Sequence, residues 1–355
     1  RVLFRSDRLA HEHPYRQWLN TNRIQLEKVH SGRKVENSVP DLTRKEVEFG
    51  FEQEDIDSTI IPMATNGQEP TASMGNDTPL AVLSDRPQIF FNYFRQQFAQ
   101  VTNPAIDSIR ENLVMSLSEY IGRVGTGILN PDETNCKMVR LPHPILTNTQ
   151  LDILCNIRYK GFNTRKLKLS FTLGDEKPGE ALRAALDSLC QEVARSVDEG
   201  YNYIILSDRD LAPADVPIPS LLAVSAVHHY LISVGKRVQT ALIVESGEIR
   251  EVMHAALLLG YGASALCPYL TYAVLDDLVK RHKIQEDYAT AEANYIKAVK
   301  KGLYKIMAKM GISTIRSYRG AKIFESIGLS ESLLKTYFGT DISTILMPKG
   351  FISAS

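Results

Sequence analysis

From residue 160 onward, short apolar runs alternate with segments of helical period, and that alternation constrains the fold more than any other feature of the chain. Leu167 to Thr172 reads as a strand. A helix near 179 to 199 comes next, with Leu182, Leu186, Leu189, Val193 and Val197 on one face and Gly200 closing it. Tyr203 to Leu206 reads as a second strand, Ser220 is placed to cap a helix ending at Gly235, and Val238 to Val244 reads as a third strand. A helix near 248 to 259, a strand from Ala263 to Cys267, a helical insertion over about 271 to 310 and a fifth strand from Gly311 to Ile315 complete the run. Strands that alternate with helices imply right-handed crossovers and therefore a parallel sheet. Apolar strands fit a sheet covered on both faces, so the expected class is α/β.

The first part of the chain lacks this rhythm. Residues 7 to about 70 are polar and read as short helices and connecting segments, with Trp18 as an anchor to a neighbour. Arg1 to Ser6 shows no continuity with the residues after it and is set aside as a scar. In Met74-Gly75-Asn76-Asp77-Thr78-Pro79 the glycine and Asn-Asp pair tolerate unusual backbone angles, and Thr78 before a proline is pushed toward extended backbone. From Pro87, Phe90, Tyr93, Phe94, Phe98 and Val101 recur at helical steps, until Thr102-Asn103-Pro104 breaks the pattern. Asp107 is placed to cap a further helix carrying Ile109, Leu113, Leu117 and Ile121 on one face.

Charge and cysteine usage narrow the function classes. Lys plus Arg equals Asp plus Glu at 41 each, so no net field favours nucleic acid or an anionic membrane. No apolar stretch approaches the roughly 20 residues of a membrane span. Cys136, Cys155, Cys190 and Cys267 form no CxxC pair and no iron-sulfur run, which points to a reducing, cytoplasmic setting. His228 and His229 are successive on a helix and cannot face one metal as an i, i+4 pair would. Gly260-Tyr261-Gly262-Ala263 precedes a strand, the reverse of a dinucleotide fingerprint, and no phosphate loop is present, so no cofactor-binding residue is assigned.

In β/α folds, chemistry sits at the C-terminal ends of strands, which here carry Ser207-Asp208-Arg209, Glu245-Ser246-Gly247 and Cys267-Pro268-Tyr269. Asp208 and Glu245 are candidates for a general acid and base, and Cys267 for a nucleophile if a base lowers its pKa. The alternative is structural: Asp208 pairs with Arg209 or caps a helix, Glu245-Ser246 starts the next helix and Cys267 fills a core site.

Several segments match a known family in order and approximate spacing. They are Phe49-Gly50-Phe51, Pro62-Met63-Ala64, Gln68-Glu69-Pro70, Ser73 to Ala81, Tyr93 to Pro104, Leu206 to Arg209, Pro217 to Ala223, Leu259 to Ala263 and Lys305 to Gly320, ending in IFESIGL at Leu329. Together they resemble the large (α) subunit of glutamate synthase, and within it the central domain. The sequence departs from the family at Met253-His254, where paired histidines are common, and at Cys267, where Asn is frequent.

The resemblance implies a degenerate (β/α) barrel-like domain without bound cofactor, in a parent that forms glutamate reductively from glutamine and 2-oxoglutarate. FMN and an iron-sulfur cluster are expected elsewhere in that parent, with ferredoxin or an NADPH-dependent small subunit as electron partner. On this reading residues 1–6 are the scar and 7–85 a linker following a glutaminase domain. Residues 86–340 are the central domain (helical lead 86–160, β/α units 161–330), and 341–355 begin a linker to the FMN domain. The segment itself is expected to be non-catalytic. Met74, Gly75, Asp77, Thr78, Thr102 and Asn103 are implied to line the tunnel through which ammonia passes. The competing expectation is a stand-alone β/α-barrel enzyme working through Asp208 and Glu245.

Overall fold

The computed structural model describes residues 2–29, 35–71, 79–97, 106–107, 109–124, 131–157, 159, 161–339 and 344–345. Its centre is built from four strands, β1 (Thr164–Lys168), β2 (Tyr203–Ser207), β3 (Ala241–Glu245) and β4 (Ala265–Cys267). All are parallel, in the spatial order β4-β3-β2-β1. Tyr203 to Leu206 are fully buried and Ala241 to Val244 nearly so, as inner strands covered on both faces must be. The crossovers are α1 (Pro178–Asp198), α2 (Ser220–Ser233) and α3 (Val252–Gly260). The paired helices α4 (Tyr269–Lys280) and α5 (Tyr288–Lys309) come after β4.

Successive strands are neighbours, the order of a β/α barrel wall, whereas a doubly wound sheet reverses its order part-way. Beyond β4, Ile145 bridges Leu266 in parallel, with Leu266 N donating to Pro144 O and Leu146 N to Leu266 O. The α/β class with parallel strands is thus what the molecule has. Among the described residues this parallel sheet comprises four strands and one further bridge.

Several elements differ from the sequence expectation. Leu167 to Thr172 is divided: β1 starts earlier, at polar Thr164-Arg165-Lys166, which an edge strand tolerates. Ser170–Thr172 pairs antiparallel with Asp215–Pro217. Val238 lies in the 3-10 turn Arg237–Gln239 and is 62% exposed. Gly311 to Ile315 forms no strand; Thr314 makes a single bridge to Ser116, and Ile315 opens a short helix, Ile315–Tyr318. Ser220 is the first residue of α2 and does not cap it; its hydroxyl donates to Glu248 instead.

The lead segment differs more. Phe90–Tyr93 is a 3-10 turn, and Phe94–Gln96 is a strand paired antiparallel with Phe324–Ile327. Phe94 is completely buried against Tyr261 and Phe338, so tertiary packing of an aromatic strand overrides the helical spacing. Phe98 and Val101 lie outside the described residues. Asp107 Oδ1 does accept from the amides of Ile109 and Arg110, but the helix it opens is only Glu111–Val114. Ile109 and Leu113 are 91% and 85% exposed, while Ile121 belongs to a strand, Glu119–Ile121, that pairs with Val139–Leu141. Val2–His11 is a single helix running past Ser6, and Trp18 packs locally on His13 and Tyr15.

One N-terminal stretch is part of the core. Gln53–Asp55, Ile56–Ile60 and Ile61–Asn66 succeed one another as helical turns. The middle piece has π geometry next to Pro62, whose missing N–H forces the backbone ladder to adjust. The stretch buries Ile60, Met63 and Ala64 beside α5.

Candidate functional site

The last residues of the four strands stand in register, Lys168 beside Ser207, Ser207 beside Glu245, and Glu245 beside Cys267. Asp208 and Ser246 come immediately after, so the three candidate residues of the sequence reading share one edge of the sheet. All are buried: Asp208 and Glu245 are 1% exposed and Cys267 is 0% exposed.

The hydrogen bonds cross between neighbouring strands. Ser207 Oγ donates to Glu245 Oε2 at 2.6 Å, and Ser246 Oγ donates to Asp208 Oδ2 at 2.5 Å. Each strand therefore offers a serine to the other's carboxyl group. Gly247 N completes Asp208 at 2.9 Å through Oδ1. Lys166 Nζ stands 2.7 Å from Glu245 Oε2, and Arg209 donates to Glu245 Oε1 at 3.2 Å and to Asn148 Oδ1 at 3.1 Å. Cys267 Sγ lies 3.4 Å from that same Asn148 oxygen. Asp208 thus pairs with Ser246 and Gly247; Arg209 turns to Glu245.

The chemistry of the cluster is set by its burial. Desolvation pushes the Asp208 carboxyl up to about 7, against the lowering effect of the Ser246 hydrogen bond, with the Glu248 charge adding to the rise. Cys267 is pushed well above a normal thiol, chiefly by burial and then by Glu245, so it is held as the poorly nucleophilic thiol. Glu248 accepts from the Ser220 amide at 2.7 Å and from its hydroxyl, placing a carboxylate at the N-terminus of α2.

An N-terminal strap packs against one part of the edge. Arg250, 4% exposed, donates to Phe49 O at 3.0 Å and Gly50 O at 2.7 Å, pairs with Asp55 Oδ2 at 3.0 Å and lies 4.6 Å from the Phe51 ring centroid. This clamp presses Phe49 against Gly247. A Cβ at 247 would lie 2.8 Å from the Phe49 ring, so only glycine allows the approach. Gly247 is also the residue whose amide holds Asp208, so the strap sits directly against the carboxyl cluster.

The strand-end rule puts Asp208, Glu245 and Cys267 at the ends of strands, and the pairing of β2, β3 and β4 sets those ends side by side. Sequence reasoning missed Lys166, Asn148 and Arg250, whose partners lie far along the chain. The Phe49-Gly50-Phe51 motif was the one available signal of the strap. Met74, Gly75, Asp77, Thr78, Thr102 and Asn103 all lie outside the described residues. Among the described residues no group of three or more His, Cys, Asp or Glu side chains is arranged to hold a metal ion, and no helix is long and apolar enough to cross a membrane.

The family model described as "Glutamate synthase central domain" matches residues 44–330. The glutamate synthase [NADPH] large chain of Bacillus subtilis is 41% identical over 345 residues, covering 95% of this chain and 22% of that protein. Glutamate synthase [NADH] of Schizosaccharomyces pombe is 39% identical, covering 94% and 16%. Ferredoxin-dependent glutamate synthase 2 of Synechocystis is 38% identical, covering 95% and 22%. The chain therefore spans about a fifth of the length of these relatives. The matched range begins just before the Phe49 strap and takes in every strand and helix of the sheet, and the chain belongs to the glutamate synthase central domain family.

Proposed function

We propose that this chain serves as the non-catalytic central domain of a glutamate synthase, linking glutaminase and FMN-binding synthase domains and helping to wall the path that ammonia takes between them. The observation that carries this reading is the buried strand edge. Where a β/α barrel binds its substrate, Asp208, Glu245 and Cys267 are buried and hydrogen-bonded within the protein, and Phe49 packs on Gly247 beside Asp208.

The same edge does not fit FMN. Glu248 occupies the N-terminus of α2 and would repel a phosphate there, and Phe49 fills the space over Gly247. FMN and the iron-sulfur cluster belong, on this proposal, to other domains of the parent. The names of the relatives include NADPH-, NADH- and ferredoxin-dependent enzymes, so either kind of electron partner suits a parent of this family. The four free thiols favour a reducing compartment, the cytoplasm.

The tunnel role rests on Met74, Gly75, Asp77, Thr78, Thr102 and Asn103. Turns bearing glycine and hydroxyls expose backbone and acceptor oxygens to a neutral, weakly hydrated guest. The experiment is a stoichiometry. In the full-length enzyme Thr102→Trp should lower the glutamate formed per glutamine hydrolysed, with glutamine hydrolysis itself retained. An unchanged ratio counts against the tunnel assignment.

A further inference from the structure

At the N-terminal ends of β3 and β4, the end of the sheet away from Asp208, a cavity of about 330 Å³ opens among Ile232, Tyr261, Phe324 and Phe338. That volume is at the lower end of what small-molecule sites occupy. Tyr261 meets Phe338 edge-on at 5.0 Å between centroids and lies tilted against Phe324 at 6.1 Å, so the three rings form an apolar box. His228 and His229, successive residues of α2, stand in its wall. Lys322 lines the cavity as well and has an interaction of its own within the protein.

Neighbouring groups fix the tautomer of each histidine. Arg237 Nε donates to His228 Nδ1 at 2.8 Å, and burial first, then the Arg237 charge, hold that ring neutral with its pKa lowered to about 2. The one ring hydrogen of His228 is therefore on Nε2. His229 Nδ1 lies 2.9 Å from Ser225 O, which only accepts, while the Ser225 hydroxyl beside it donates its own hydrogen to Tyr337 O at 2.8 Å. Nδ1 of His229 thus carries the hydrogen, and Nε2 of the neutral ring accepts.

Both Nε2 edges are turned to the cavity. Arg237 and Gly262 cover the Nδ1 side of His228, where a Cβ on residue 262 would collide with the ring, and neither is among the described residues that line the cavity. A Cβ on Gly339 would lie 3.0 Å from His229 Nε2; Gly339 does line the cavity, and without a side chain it leaves that nitrogen open. Among the described residues neither Nε2 has a hydrogen-bond partner, since the bonds of both rings run through Nδ1. The rings stand 5.2 Å apart between centroids at 80°, so the wall offers one donor beside one acceptor.

A primary carboxamide answers that pair with a single neutral group: its oxygen accepts and its nitrogen donates, whereas a carboxylate only accepts and an ammonium only donates. We propose that this cavity binds a small neutral carboxamide. Its apolar or aromatic body lies between Tyr261, Phe324 and Phe338, its oxygen takes the His228 Nε2–H, and its NH2 donates to His229 Nε2. Such a ligand needs no charge from Lys322. The site stands independently of the proposed function, because it is read by binding and not by turnover.

Calorimetric titration of the full-length protein with phenylacetamide, and with phenylacetone, which carries a methyl in place of the NH2, tests it. The methyl leaves His229 Nε2 without a donor, so the amide is expected to bind at least tenfold more tightly than the ketone. His229→Phe keeps a ring of similar shape and removes the acceptor; it should weaken the amide at least fivefold and leave the ketone within twofold. Ile232→Trp, made at a position 53% exposed and therefore tolerant, should fill the cavity and remove binding of both. No amide binding by the unsubstituted protein, equal affinity for amide and ketone, an unchanged amide affinity in His229→Phe, or full binding by Ile232→Trp would overturn the assignment.

Discussion

Arg250 and Asp55 meet as an ion pair at 3.0 Å, joining the start of α3 to the N-terminal strap, and the same guanidinium holds the carbonyls of Phe49 and Gly50. One side chain thus fastens a distant segment against the strand edge where a β/α fold ordinarily places its chemistry. On the scaffold proposal, that fastening is what keeps this part of the edge covered.

Removing the clamp should be costly. Arg250→Met leaves Asp55 without its buried partner and two carbonyls unsatisfied, and a loss of about 3–5 kcal/mol in urea unfolding is expected. Asp55→Asn, which keeps a polar group for Arg250, should cost less. A loss below about 1 kcal/mol for Arg250→Met would show that the strap is held by other contacts.

The contact between Gly247 and Phe49 is steric. Gly247→Ala should destabilise the fold by about 1–3 kcal/mol, as overpacked cores do. The penalty should shrink when Phe49 is replaced by Leu, which retreats from the added methyl. A double-mutant cycle with no coupling would place the strain elsewhere.

Asp208 makes stability depend on pH in an unusual direction for an acid. Its folded pKa, about 7, lies above the ordinary value of 3.8, so between these values the folded state retains a proton that the unfolded state has released. Stability from this group is fully present below about pH 4 and is lost as pH rises toward 7, with a slope approaching about 1.4 kcal/mol per pH unit inside that window. Unfolding of the unsubstituted protein and of Asp208→Asn, compared at several pH values, should show their difference declining with pH. A difference that is flat or that grows would contradict the burial argument.

Cys267 should resist thiol reagents. Being fully buried and held as a thiol, it should stay unlabelled by a disulfide-exchange reagent at about pH 8 until urea unfolds the protein. Rapid labelling in the native state would restore it as a candidate nucleophile.

The sheet was legible because its strands carry their own signal. Tyr203 to Leu206 and Ala241 to Val244 are apolar at every position, as doubly covered strands are. Phe90 to Phe94 misled because aromatic residues at three- and four-residue steps serve a 3-10 turn followed by a strand equally well. Only the pairing of Phe94 with Ser326 decides between them. The juxtaposition of Asp208, Glu245 and Cys267 came from topology, which places successive strand ends side by side. Arg250 stayed hidden because a lone arginine at a helix start announces neither a carbonyl clamp nor an aspartate on a remote segment.

Whether the carboxyl cluster holds the domain together or performs chemistry is decided by glutamate formation in the full-length enzyme carrying Asp208→Asn, assayed at a temperature where substituted and unsubstituted proteins are equally folded. If the cluster is structural, the rate stays within about threefold of the unsubstituted enzyme. Removing a working general acid or base costs roughly a hundredfold to ten-thousandfold. A loss in that range, with stability matched, would contradict the scaffold account and make Asp208 a catalytic residue.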